Sequence, residues 1–197
     1  MLFQGGVWIS ELLGQMPSLL DELLNTESLY TLPSKAELQD ELRVRLLRVE
    51  PDDIEASMEV LRYFKLAHSL RVAASDLAGT LPLMKISDYL TWIAETVLEQ
   101  VLILAWNQLR TRHGVPSMGD GHEIVGADND SAVPGFLIVA YGKLCGIELS
   151  YSSDLDLVFI YKADAQGMTN GEKPVDNQTF YTRLGQKIIH ILNTRTL

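Results

Sequence analysis

The chain has 197 residues, 47% hydrophobic and 21% charged, a globular composition with enough apolar side chains for a core and room for one domain or parts of two. Lys and Arg number 16 and Asp and Glu 26, and the net charge of −10 excludes non-specific nucleic-acid binding, whose affinity comes mostly from neutralising phosphates. The single cysteine, Cys145, excludes an internal disulfide and fits a reducing compartment, and the start "MLFQGGVW" lacks the basic and long apolar stretches of a secretory leader, so a cytoplasmic location is expected.

Residues 7–24 read as two short helical pieces broken at Pro17. Pro33 ends a loop, and "SKAELQDELRVRLLRV" follows as a helix, with Ser34 as N-cap and Glu37 three residues on to complete a capping box. A longer helix starts after Pro51, with Ile54, Met58, Leu61, Phe64, Ala67 and Leu70 on one face, and Gly79 and Pro82 punctuate its end. Another begins near Ser87, with Ile86, Leu90, Ile93, Val97, Val101 and Leu104 as its apolar stripe. Its window "YLTWIAETVLEQVLILAW" is the most apolar of the chain, but Glu95 and Glu99 within it indicate a buried soluble helix, not a membrane span. Residues 1–113 are therefore expected to form a helical bundle held by packed apolar faces.

Composition then shifts. "GVPSMGDGHEIVGADNDSAVPG", within a connection over 114–135, is a solvated loop; its acidic residues lack the D-x-D-x-D-G spacing of a calcium loop. "FLIVAY", 136–141, is a short apolar run between Gly135 and Gly142 and predicts a buried strand; "KLCGIELS" predicts two helical turns; "LDLVFIY", 155–161, predicts a second strand. After a polar loop, a last helix begins near Asn177 with Phe180, Leu184, Ile188 and Leu192 on one face. Two strands are marginal alone, so that stripe is expected to be poorly covered, and residues 136–197 to be less stable than the bundle.

The chemistry concentrates in "GKLCGIELSYSSDLDLVFIY", 142–161. Side chains two apart on a strand share a face, so Asp154 and Asp156 point together while Leu155 and Leu157 point to the opposite layer. Two adjacent carboxylates repel, and a divalent cation relieves them; hard oxygen ligands suit Mg²⁺, which commonly uses one or two carboxylates with substrate phosphates. Gly142, between a strand and a short helix, lets a phosphate approach backbone N–H groups, and Lys143 adds a positive charge there. The unit is not a Walker A loop, because G-x-x-x-x-G-K-[ST] is absent. A solvated, capped turn fits the same residues and is the ordinary reading of D-x-D in an acidic protein.

Gly142, eleven intervening residues and Asp154-Leu155-Asp156 resemble the signature of the nucleotidyltransferase superfamily, which includes the β-type DNA polymerases. "YGKLCGIELSYSSDLDLVF", with "FKLAHSLRVAASDLAGTLPLMKISDYLTWIAE" upstream and "NQTFYTRLGQKIIHILNTRT" downstream, resembles one branch more closely: the bifunctional glutamine synthetase adenylyltransferase/adenylyl-removing enzymes, and in particular their second, adenylylating unit. The resemblance covers most of the chain and is weakest at 114–135. It implies an α+β, predominantly α fold, a helical bundle followed at 136–197 by the first part of a nucleotidyltransferase-like β-sheet with flanking helices. It implies ATP- and Mg²⁺-dependent transfer of AMP to a tyrosine of glutamine synthetase, with two metal ions, Asp154 and Asp156 as catalytic metal ligands, and Gly142, Lys143 and Ser153 holding phosphates. The family's other unit removes AMP by phosphorolysis. Implied partners are glutamine synthetase and a nitrogen-signalling regulatory protein, with no nucleic acid and no membrane. Cys145 stands where the family usually has glycine and is expected to crowd the phosphate cradle. The superfamily's third carboxylate belongs to a later strand beyond Leu197, so little or no transfer activity is expected. The alternatives are a non-catalytic nucleotide-binding or interaction piece and a different nucleotidyltransferase, such as a uridylyltransferase. Elsewhere the ordinary readings hold: His68 and His190 as surface or core histidines, Trp92 and Trp106 as core or interface, Glu95 and Glu99 as a solvated face, and Cys145 as an inert thiol or one with a lowered pKa.

Overall fold

The structure is a computed structural model and describes residues 9–10, 12–14, 16–24, 29–117 and 133–193. Most of the 114–135 connection and the residues after Asn193 lie outside these. The fold is α+β and predominantly α, as expected, and the chain divides into two compact units, one of residues 1–97 and 142–155, the other of 98–141 and 156–197.

In the first unit Pro17 opens a 3-10 turn, Pro17–Leu19, that runs into α1, Leu20–Leu24. A proline is tolerated there because a helix start leaves its first N–H groups unpaired anyway. α2, Lys35–Leu46, has the expected capping box: the Ser34 hydroxyl accepts from Glu37 N at 3.4 Å and the Glu37 carboxylate accepts from Ser34 N at 2.8 Å. α3, Ile54–Leu77, is N-capped by Asp53, which accepts from Ala56 N. Its expected stripe is buried from Met58 through Leu61, Phe64 and Ala67 to Leu70. Leu12, Leu19, Ala67 and Leu70 form one core cluster.

Two polar pairs tie the shorter helices to α3. Glu22 accepts from Arg71 at 2.6 Å and from the Tyr63 hydroxyl at 3.2 Å. His68, a core histidine as expected, packs its ring on Phe64 and lies 3.2 Å from Glu41. Burial opposes ionisation of Glu41, but the hydrogen bond and charge of His68, with Arg45, outweigh it and hold its carboxyl below the usual value.

Gly79, at φ +67°, follows the end of α3 in the left-handed conformation that glycine alone adopts freely. α4 is Leu83–His113 and begins earlier than the expected Ser87. The carbonyl of Pro82 accepts from Lys85 and Ile86, so the proline read as a stop also serves as a helix start. Ile86, Leu90, Ile93, Val97 and Val101 are buried. Glu95 pairs with Lys35 at 2.7 Å, a surface ion pair. No helix among the described residues is long and apolar enough to cross a membrane.

In the second unit β1, Phe136–Tyr141, and β2, Asp156–Tyr161, form a two-stranded antiparallel sheet in the register Phe136↔Tyr161 to Tyr141↔Asp156. α5, Gly142–Cys145, is a single turn of the first unit, and α6, Asn177–Asn193, covers one face of the sheet. The expectation of an uncovered stripe on this helix is corrected: Phe180, Leu184 and Ile188 are fully buried, and only Leu192 stays partly exposed. The cover comes from two sides. Trp106 of α4 meets Phe180 edge-on at 5.3 Å, and Tyr181 stacks on Phe136 and Tyr161 of the sheet. Sequence periodicity could not show that the end of α4 serves this second core. The helix N-terminus is fixed by buried Asn177, which accepts from Ser117 N and donates to the carbonyls of Ser117 and Asp164.

Phe180→Ala is expected to cost about 3–5 kcal/mol of stability, while Leu192→Ala costs much less; chemical denaturation measures both. Tyr181 gives a pH dependence. Its hydroxyl donates to the Pro134 carbonyl at 3.0 Å, and burial pushes its phenol up to about 12. The folded chain therefore holds this proton more tightly than the unfolded chain does. The stabilisation is fully present below the ordinary tyrosine value of about 10 and is lost as pH rises toward the folded value. Urea midpoints measured across that alkaline range should fall less steeply for Tyr181→Phe than for the parent chain.

Candidate functional site

Directly opposite residues of an antiparallel pair share a face. Phe136, Ile138 and Ala140 thus lie with Tyr161, Phe159 and Leu157 on the face covered by α6; a Cβ on Gly185 of that helix would stand 3.1 Å from the Phe159 ring. Asp156 belongs to the other face, with its partner Tyr141 and with Val158 and Ile160, both about half exposed. Exposure alternates without a break from Tyr151 to Ile160, so Asp154 and Asp156 are both exposed while Leu155 and Leu157 are partly buried. The second strand begins at Asp156, one residue later than the expected Leu155, which leaves Asp154 in the extended approach to it. Among the described residues neither carboxylate has a hydrogen-bond or ion-pair partner.

Gly142 follows Tyr141 directly, at φ +58°. A side chain at this left-handed position would be strained, which explains the glycine without any ligand. Gly142 opens α5, Gly142–Cys145, with Lys143 and Cys145 exposed. The helix has one turn and not the expected two. Glu148 N returns to the Lys143 carbonyl and Ile147 N to that of Leu144, the paired bonds of a Schellman closure. Ile147 occupies the left-handed position of that motif at φ +55°, where glycine is usual and a β-branched residue is an outlier.

The turn that follows is built by its own serines. The Ser153 hydroxyl accepts from Ser150 N at 2.9 Å and lies 2.8 Å from the Ser150 hydroxyl, while Ser153 N donates to the Ser150 carbonyl. Tyr151 anchors this turn to α3 by donating to Asp76 at 3.1 Å. Burial first, then the charge and hydrogen bond of Asp76, push its phenol well above the usual tyrosine range, so it remains a proton donor. Tyr151 and Asp76 escaped the sequence reading. The one available signal was an aromatic residue inside an otherwise polar "SYSSD" run, and the partner lies 75 positions away.

Gly142, Lys143, Ser153 and Asp154 fall in the first compact unit and Asp156 in the second. Among the described residues no three His, Cys, Asp or Glu side chains gather in a group able to hold a metal ion. Asp154 and Asp156 stand two positions apart in the chain, neither with a hydrogen-bond or ion-pair partner among the described residues.

The sequence profile of the glutamate-ammonia ligase adenylyltransferase family matches residues 2–197. The chain belongs to this family. It is 56% identical over 189 residues to a bifunctional glutamine synthetase adenylyltransferase/adenylyl-removing enzyme of Pseudomonas putida, covering 96% of this chain and 18% of that protein. A protein of the same name from Hahella chejuensis is 53% identical over 195 residues, covering 99% and 19%, and one from Shewanella oneidensis is 47% identical over 192 residues, covering 96% and 19%. The chain thus spans about a fifth of the length of the curated relatives it matches.

Ile147 is half exposed, so its replacement removes little buried surface. Ile147→Gly is expected to relieve the left-handed strain and stabilise the chain by about 1 kcal/mol, measured as a rise in the urea midpoint at unchanged slope.

Proposed function

We propose that this chain supplies nucleotide- and metal-holding residues for adenylyl transfer to glutamine synthetase. A tyrosine hydroxyl of that protein attacks the α-phosphorus of ATP. The bond from that phosphorus to the oxygen bridging to the β-phosphate breaks, pyrophosphate leaves with the electron pair, and the phenolic proton passes to solvent. The supporting observation is the exposed, unpartnered pair Asp154 and Asp156, downstream of Gly142-Lys143 in a chain of the adenylyltransferase family.

The donor set fits Mg²⁺: two hard carboxylate oxygen donors two residues apart, neither engaged by another described side chain. Asp154 and Asp156 would hold the ion, which neutralises phosphate charge and activates the attacking oxygen. Lys143 is exposed and brings positive charge to the triphosphate within an acidic chain. Gly142, without a side chain, leaves the backbone at the start of α5 open to a phosphate oxygen. With the Ser150 hydroxyl as donor to Ser153, the Ser153 hydroxyl keeps its own proton for a phosphate oxygen.

Titration calorimetry with ATP and Mg²⁺ tests the assignment. Asp154→Asn and Asp156→Asn should each weaken binding at least about tenfold, the lower end of what losing an outer-shell contact costs. Equal affinity in either variant removes that aspartate from the site. Labelled AMP appearing on glutamine synthetase is the separate readout for transfer.

A further inference from the structure

Cationic side chains gather on α6 and on the last two turns of α4, within the second unit. A cavity of about 510 Å³ is lined there by Gln108, Arg112 and His113 of α4 and by Arg183, Lys187 and His190 of α6. Among the described residues no Asp or Glu lines it. Residues 183, 187 and 190 follow helical spacing and share a face, as do 108 and 112.

Two features mark it as more than a solvated patch. First, the permanent charges of Arg112 and Lys187 have no carboxylate partner among the described residues, and Arg183 has the through-space attraction of Asp176 but no direct ion pair. Arg183 and Lys187 are like charges one helical turn apart, which disfavours the helix unless an anion offsets them. Second, the cavity has a built wall. His113 is buried, its Nδ1–H donates to the Lys173 carbonyl at 2.6 Å, and its Nε2 accepts from the Arg183 guanidinium at 3.2 Å. This histidine is used as a neutral acceptor that orients the arginine.

We infer that this cavity binds a small multiply charged phosphate anion, of the di- or triphosphate class. The guanidinium groups of Arg112 and Arg183 match phosphate oxygens in geometry, and Lys187 adds a point charge. The volume lies in the range of small-ligand pockets, and a local cationic cavity on a chain of charge −10 suits a small anion better than a nucleic acid. The cavity shares no residue with the proposed nucleotide site, so the two can be tested apart.

The test is titration of the whole chain with inorganic pyrophosphate at low salt, with EDTA present so that no metal contributes. Saturable binding is expected, and it should weaken as salt rises. The double variant Arg112→Gln, Lys187→Gln should lose affinity by about tenfold or more, as expected when charge-assisted bonds are removed. Lys187→Arg should retain it, which separates lost charge from lost folding. No heat at millimolar pyrophosphate, or undiminished affinity in the double variant, overturns the inference.

Discussion

The antiparallel pairing of β1 and β2 is the constraint on which the second unit rests, and it is a weak element on its own. Two strands of six residues bury too little to stand in water. They persist because α6 closes one face with rings and branched side chains, and because α6 is itself fixed at both a polar and an apolar point. Asn177 ties its first turn to the chain at Ser117 and Asp164, and Trp106 lies against Phe180. The same pairing sets the position of Asp156. It is the last rung, opposite Tyr141, on the face that α6 leaves open.

Placing a carboxylate at a strand end has a physical logic. A carboxylate on the covered face would be buried among Phe159, Tyr161 and Tyr181 at a large desolvation cost. On the open face Asp156 stays hydrated and available to a cation. The chain segment from Gly142 to Ser153 passes through positions with little freedom. Gly142 takes a left-handed conformation, α5 closes after one turn with Ile147 strained, and the serine turn is held to α3 by Tyr151. Strain kept in a short exposed segment must be offset by the packing around it, and here the anchor is the hydrogen bond to Asp76.

The helical unit uses partly buried polar pairs where a purely apolar bundle would be simpler. Glu22 with Arg71 and Tyr63, and Glu41 with His68, each join an early helix to α3. Such pairs gain little net stability after desolvation. Their effect is to disfavour slipped packings, because a displaced helix would leave a half-buried charge unpaired.

By itself the sequence determined the elements whose signals are local. The cap at Ser34, the apolar stripes of α3 and α4, the two strands and the start of α6 all follow from side chains within a few positions of one another, as did the exposure of Asp154 and Asp156 from their alternation with leucines. Family membership was legible as well, because it resides in residue order. What only the tertiary structure decided are contacts between residues far apart in the chain: Trp106 on Phe180, Tyr151 on Asp76, Asn177 on Ser117, and the gathering of Arg112, Arg183 and Lys187 around one cavity. A helical period shows that a face must be covered but not by what. A lone charge in a sequence carries no sign of its neighbours across a fold. The early closure of α5 belongs to the same class, since a β-branched residue in a left-handed turn is tolerated only where surrounding packing enforces it.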